Sequence, residues 1–145
     1  MAAANRLQIF EIFNLISKAK NKAEKLAVLR KHESWALKDV CRGIFDDRVQ
    51  FKLPASGKVP YEANRVESTP SSLLKLNTRF KFFVKGVRDC EQLIPVKRER
   101  MFIDLLESIH AEDAEILVSM INKKNPVKGL TKKLVQEAYP QLIPE

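Results

Sequence analysis

Acid–base, nucleophilic and metal chemistry needs His, Cys, Asp or Glu at spacings that converge, and this chain supplies few of them. It has two histidines, His32 and His110, and two cysteines, Cys41 and Cys90. His110-Ala111-Glu112 has the His-x-Glu spacing of zinc deaminases. The Pro-Cys-x-x-Cys that must complete such a metal site is missing, so the pair reads as a helix entrance. Asp46 and Asp47 are adjacent, which points two carboxyls apart where acid–base partners must converge; they read as a turn. Cys41 would need a His–acid pair to act as a nucleophile. Its place on an apolar stripe marks it as a core residue instead. No phosphate-binding Gly-Lys loop, nucleophile elbow or paired-His zinc motif is present. The expectation is a non-enzymatic protein without cofactor or metal.

The basic residues are more informative. Lys and Arg number 26 against 18 Asp and Glu, a net charge of +8. The excess is uneven: residues 1–50 carry +4, residues 51–100 carry +6, and residues 101–145 carry −2. A concentrated positive field favours an anionic partner. If residues 71–86 form a helix, Leu73, Leu76, Phe80, Phe83 and Val84 share one side. Lys75, Arg79, Lys81 and Lys85 share the other, with Phe82 among them. A ring flanked by cations is one way to hold single-stranded nucleic acid, stacking on the base and neutralising the phosphate. The other reading packs Phe82 against the long loop or another helix. Arg98 and Arg100 would extend the phosphate contacts. A second cluster, Lys123, Lys124, Lys128, Lys132 and Lys133, ends with two cations at a helix start. The macrodipole disfavours them there, and a bound phosphate would favour them. Ordinary solvated lysines are the alternative.

Helices must position these residues. Apolar positions predict a helix over 5–31 with a break near Lys20–Asn21. Its first part, with Leu7, Ile9, Phe10, Ile12, Phe13, Leu15 and Ile16, is apolar nearly all round, so it is either central in a core or also faces a partner. Ser34 is placed to cap a helix over 35–45. Residues 48–53 alternate like a strand, but with no sheet to join they read as extended chain packed on helices. Residues 54–72, with Pro54, Pro60 and Pro70, form a long loop that Val59 and Tyr61 could pin to the body. Helices follow over 71–86, 96–109, 111–124 and 131–139. Acids open and lysines close the 111–124 helix, the order its dipole favours. The fold class is all-α: an irregular bundle of about six or seven short helices, with one short extended segment and a long Pro-containing loop.

Size and composition set the outer bounds. A chain of 145 residues, 45% apolar and 30% charged, is one folded domain, 1–145. Only four glycines are present, too few for a Gly-rich nucleotide loop. Two distant cysteines read as free thiols of a reducing compartment. Glu11 interrupts the one segment resembling a signal peptide, and no apolar run reaches the roughly 20 residues a spanning helix needs. The expectation is a soluble intracellular protein with no membrane partner.

Three stretches together have a familiar order: KAKNKAEKLAVLRKHESWALKDVCRGIFDDRVQFKLP, KRERMFIDLLESIHAEDAEILVSMINKK and VKGLTKKLVQEAYPQLIP. Across roughly residues 8–144 the chain resembles a family of small uncharacterised proteins encoded by large contractile-tailed bacteriophages, especially those of marine bacteria. That family has no assigned activity or site residue to carry over. The resemblance implies a setting: a phage protein in the host bacterial cytoplasm, or packaged in the particle. Two functions then compete. One is a phage accessory protein that binds nucleic acid, or a complex handling it, through Lys75, Arg79, Lys81, Phe82, Lys85, Arg98, Arg100, Lys132 and Lys133. The other is a protein–protein adaptor, a virion component or a binder of a host enzyme, using the apolar N-terminal helix.

Overall fold

A computed structural model describes residues 7–53, 61 and 72–143. Among these residues the chain forms eight α-helices, one 3-10 helix and no strand, so the fold is all-α. The helices are α1 (Ile9–Lys18), α2 (Lys22–Lys31), α3 (Trp35–Phe45), α4 (Leu73–Leu76), α5 (Arg88–Glu91), α6 (Pro95–Ser108), α7 (Ala111–Ile121) and α8 (Lys132–Ala138). The 3-10 helix, Asn77–Phe82, follows α4 directly. The 54–72 loop lies outside the described residues except for Ser72 and Tyr61, and Tyr61 packs against the core.

Local chemistry explains most helix ends. The break between α1 and α2 falls where Asn21 caps α2, its side chain accepting from the Glu24 N–H at 2.9 Å. Ser34 caps α3 by accepting from Leu37 N–H at 3.0 Å, and Thr131 caps α8 through Leu134 N–H at 3.1 Å. His110 caps α7, its Nδ1 accepting from Glu112 N–H at 3.1 Å, which is the entrance its spacing with Glu112 predicts. Pro95 occupies the first turn of α6, where a missing N–H costs nothing.

α1 is a core helix. Ile9, Ile12, Phe13 and Ile16, at 3/4 spacing, are buried. It packs on α2 and α7. Phe10, on another side, lies under the His110 ring, stacked at 4.1 Å. Asp113 in the first turn of α7 reaches across and accepts from Phe10 N–H at 2.9 Å, serving an α1 donor that has no partner within its own helix. Most of the face on which an adaptor would rely is therefore internal; Leu7 and Phe10 are half-buried, and Leu15 is 41% exposed.

The extended reading of 48–53 has a structural counterpart. Phe51 forms an isolated antiparallel bridge with Val84; Lys52 N–H donates to Phe83 O at 2.8 Å and Lys85 N–H to Gln50 O at 2.7 Å. Both cysteines are buried and unpaired, and burial pushes the Cys41 thiol up to about 12, which makes it inert.

Candidate nucleic-acid interface

The basic segment begins at Ser72, whose Oγ accepts from Leu74 N–H at 3.1 Å and donates to Gln8 Oε1 at 2.9 Å, tying the segment to the start of α1. The helix predicted over 71–86 is one α-turn that tightens into 3-10 winding and ends before Phe83. Three residues per turn eclipse positions i and i+3, so Asn77, Phe80 and Phe83 stack in one inward column, all buried. Asn77 fits there because its Nδ2 donates to Asp39 Oδ2 on α3 at 2.7 Å. Phe83 meets Phe102 of α6 edge to face at 5.2 Å. Leu76, expected on the buried side, is only half-buried, because the tighter winding turns Asn77 inward.

The opposed faces survive this change of winding. Lys75, Arg79, Lys81 and Lys85 are exposed. Lys81 is engaged: its ammonium lies 3.4 Å from Asp89 Oδ2 and 5.3 Å from the centre of the Phe82 ring. Among the described residues Lys75, Arg79 and Lys85 have no acidic partner. Phe82 is half-buried and packed against the core rather than standing free as a stacking platform.

One other expected contact is corrected. Arg98 is buried, and its guanidinium donates to Cys90 O at 3.1 Å and Leu93 O at 2.7 Å. It serves carbonyls at the end of α5 and in the turn after it, not phosphate. Arg100 is exposed but stands two residues before Phe102, about 160° around α6 from the side that meets Phe83.

The lysine cluster near the C-terminus also divides. α7 stops at Ile121, so Lys123 lies beyond it, with φ 56°. Its ammonium donates to Gly43 O at 2.5 Å, Asp46 O at 2.9 Å and Val49 O at 2.7 Å. It thus satisfies carbonyls at the end of α3, a different helix from the one its sequence position implies. Partial burial lowers its pKa, while Asp46 and Asp47 oppose that shift. Lys132 and Lys133 remain exposed on α8, which packs on α2, whereas the 3-10 helix packs on α3, α4 and α5. Thr131 already occupies one N–H of that seven-residue helix.

Beside the basic segment, α3, the extended segment and the 3-10 helix enclose a groove of about 300 Å³ whose lining includes Arg42, Phe51, Asn77, Thr78 and Lys81. Arg42 Nε, buried there, has no hydrogen-bond partner among the described residues. Sequence reasoning did not mark Arg42; its outward place on α3, opposite Leu37 and Ile44, was the available signal. Among the described residues no three His, Cys, Asp or Glu side chains gather to hold a metal. No described helix is long and apolar enough to cross a membrane.

Residues 12–126 match the model of a family of unknown function, DUF6433. The match includes the whole basic segment and stops before α8. No curated protein matches the sequence.

Proposed function

The chain belongs to the DUF6433 family, and we propose that it is a non-enzymatic accessory protein that binds nucleic acid, or a complex carrying it, through the Leu73–Lys85 segment. One observation carries the reading. Lys75, Arg79 and Lys85 are exposed cations without acidic partners among the described residues, on a segment whose other side is anchored in the core. Unpaired cations on a rigid base are ready to replace the counterions of a phosphate backbone. Arg42 in the adjoining groove adds a cation, beside Asp39 and the Lys81–Asp89 pair. The setting proposed is the one its phage resemblance implies, a host bacterial cytoplasm or a phage particle.

The test is binding to single-stranded and duplex oligonucleotides across a salt series. Changing Lys75, Arg79 and Lys85 together to Gln is expected to weaken binding to all sequences about equally, because phosphate contacts carry no base information. The slope of log K against log salt should fall by about 0.7 per lost contact on single strands and about 0.9 on duplex. A triple variant that binds like wild type sinks the reading.

An adaptor is the second reading, and its surface is not α1. Ile94 and Val96, 66% and 74% exposed, form an apolar pair where α6 begins. A partner captured by wild type and lost on Val96→Glu, with nuclease present, would put this reading first.

A further inference from the structure

Trp35 is the largest exposed apolar side chain among the described residues, at 75% exposure. Nothing in the packing of α3 requires it. The helix buries Ala36, Leu37, Val40, Cys41 and Ile44, and Trp35 lies about 160° from Leu37 around the axis. Its capping needs are met by Ser34. An indole left in water forgoes the burial that normally accounts for its presence.

The ring is exposed but not unsupported. Lys38 Nζ lies 4.9 Å from the centre of the Trp35 ring and 5.5 Å from that of Tyr139. Glu33 holds the same ammonium at 3.0 Å. Tyr139 is itself fixed, since its hydroxyl donates to Leu29 O. Trp35 and Lys38 therefore edge a groove of about 540 Å³ with Tyr139, Pro140 and Gln141, within the range of small-ligand sites.

Building on the nucleic-acid reading above, we propose that this groove takes one unpaired base of a single strand, stacked on Trp35. Three observations favour a base over a protein side chain. Three charged or polar side chains, Glu33, Lys38 and Gln141, line the groove beside its apolar residues, so it offers hydrogen-bond partners to a base edge as well as a face for stacking. Exposed Arg30 and Lys31, in the last turn of α2, precede the groove, Arg30 donating to Glu137 O at 3.3 Å beside it, and their charge complements phosphate. Trp35 also shares the outward face of α3 with Asp39 and Arg42. Asp39 binds Asn77 of the basic segment, and Arg42 lines the groove beside it, about 10 Å along the helix from Trp35. A strand neutralised by Lys75 and Arg79 can thus reach Trp35 along one helix face. Asp39 and Glu33 are the acids on that path; Asp39 Oδ2 accepts from Asn77, and Glu33 is paired with Lys38.

Trp35 is the one tryptophan of the chain, so fluorescence excited selectively at tryptophan reports this site alone. Titration with a short oligothymidylate at low salt should quench it saturably, and duplex should not. Anisotropy of a labelled oligonucleotide should show Trp35→Ala weakening single-strand binding by about 5- to 150-fold with an unchanged salt slope, since stacking releases no counterions. Trp35→Phe should recover part of the loss. Circular dichroism checks that both variants fold, as an exposed position allows. Tight oligonucleotide binding with unaltered fluorescence, and a Trp35→Ala variant equal to wild type, would overturn the stacking site and leave the basic-segment reading intact. No oligonucleotide binding at all would overturn both. A wild-type chain that sediments as a dimer while Trp35→Ala is monomeric, with equal oligonucleotide affinity, would make the indole a protein contact and also refute the proposal.

Discussion

Lys123 and Arg98 carry the same charge as Lys75, Arg79 and Lys85, yet the fold uses the two sets in opposite ways. Between them, Lys123 and Arg98 bond five backbone carbonyls around the ends of α3 and α5, of which Asp46 O and Cys90 O also accept from Val49 N–H and Leu93 N–H. The other three face solvent with no acidic partner among the described residues. A cation bonded to partly or wholly buried carbonyls is a structural part, because removing it leaves acceptors shielded from much of the water that would replace it. A cation in water contributes little to folding and remains available to a ligand. Net charge therefore overstates the binding surface, and each basic residue must be placed before it is counted.

The comparison breaks first, if it is wrong, at Lys123. Lys123→Met keeps the length of the side chain and removes the ammonium from three carbonyls, of which only Asp46 O keeps a backbone donor, Val49 N–H. It should cost about 2–4 kcal/mol, read as a lower denaturant midpoint at constant slope, with oligonucleotide affinity unchanged in the folded protein. Arg98→Met should cost less, about 1–3 kcal/mol, because it also relieves a buried charge whose Nε lacks a partner. An Arg98 variant of full stability that binds oligonucleotide poorly would reverse its assignment.

Asp113 supplies the acidic counterpart. It is fully buried, its Oδ2 has no partner among the described residues, and burial raises its pKa to about 6. A raised folded pKa gives stability that is present below the unfolded value of 3.8 and lost as pH rises through about 6. Asp113→Asn, which keeps an acceptor for Phe10 N–H, should therefore raise stability at pH 8 by roughly 1–2 kcal/mol and do little at pH 4. Thermal melts at both values check this. Asp46 runs the other way: the hydrogen bonds from Arg48 hold its carboxyl below the ordinary range, so its contribution fades as pH falls. The smallest folding effect belongs to the Lys75, Arg79 and Lys85 triple change to Gln, within about 0.5 kcal/mol. A large loss of stability there would erase the contrast from which the proposed function starts.

Much of the helical frame is legible locally. Ser34, Asn21, His110, Thr131 and Pro95 mark helix starts because a cap acts within four residues and needs no tertiary partner. The start of the chain reads as an apolar helix for the same reason, but with Phe10 and Leu15 filling its circumference the pattern leaves open which face is buried, and the structure buries Ile9, Ile12, Phe13 and Ile16. The short α5 escaped notice, since four residues give no period to read.

By itself, then, the sequence determined an all-α chain, the ends of most helices and an excess of positive charge around residues 75–100. The tertiary structure alone decided which charges are outside. Lys123 reaches Gly43 across 80 residues, Asn77 reaches Asp39 across 38, and Asp113 reaches Phe10 across 103. The winding of residues 77–82 belongs to that second class, because a 3-10 column that buries Asn77 is stable only where Asp39 waits to accept from it. The exposure of Trp35 is shared between the two: helical spacing sets it opposite Leu37, but only the packing of α3 shows that no other element covers that face. Periodicity and capping are short-range and written in neighbouring residues. Pairing of polar groups across the core is long-range, and only the assembled chain brings those partners together.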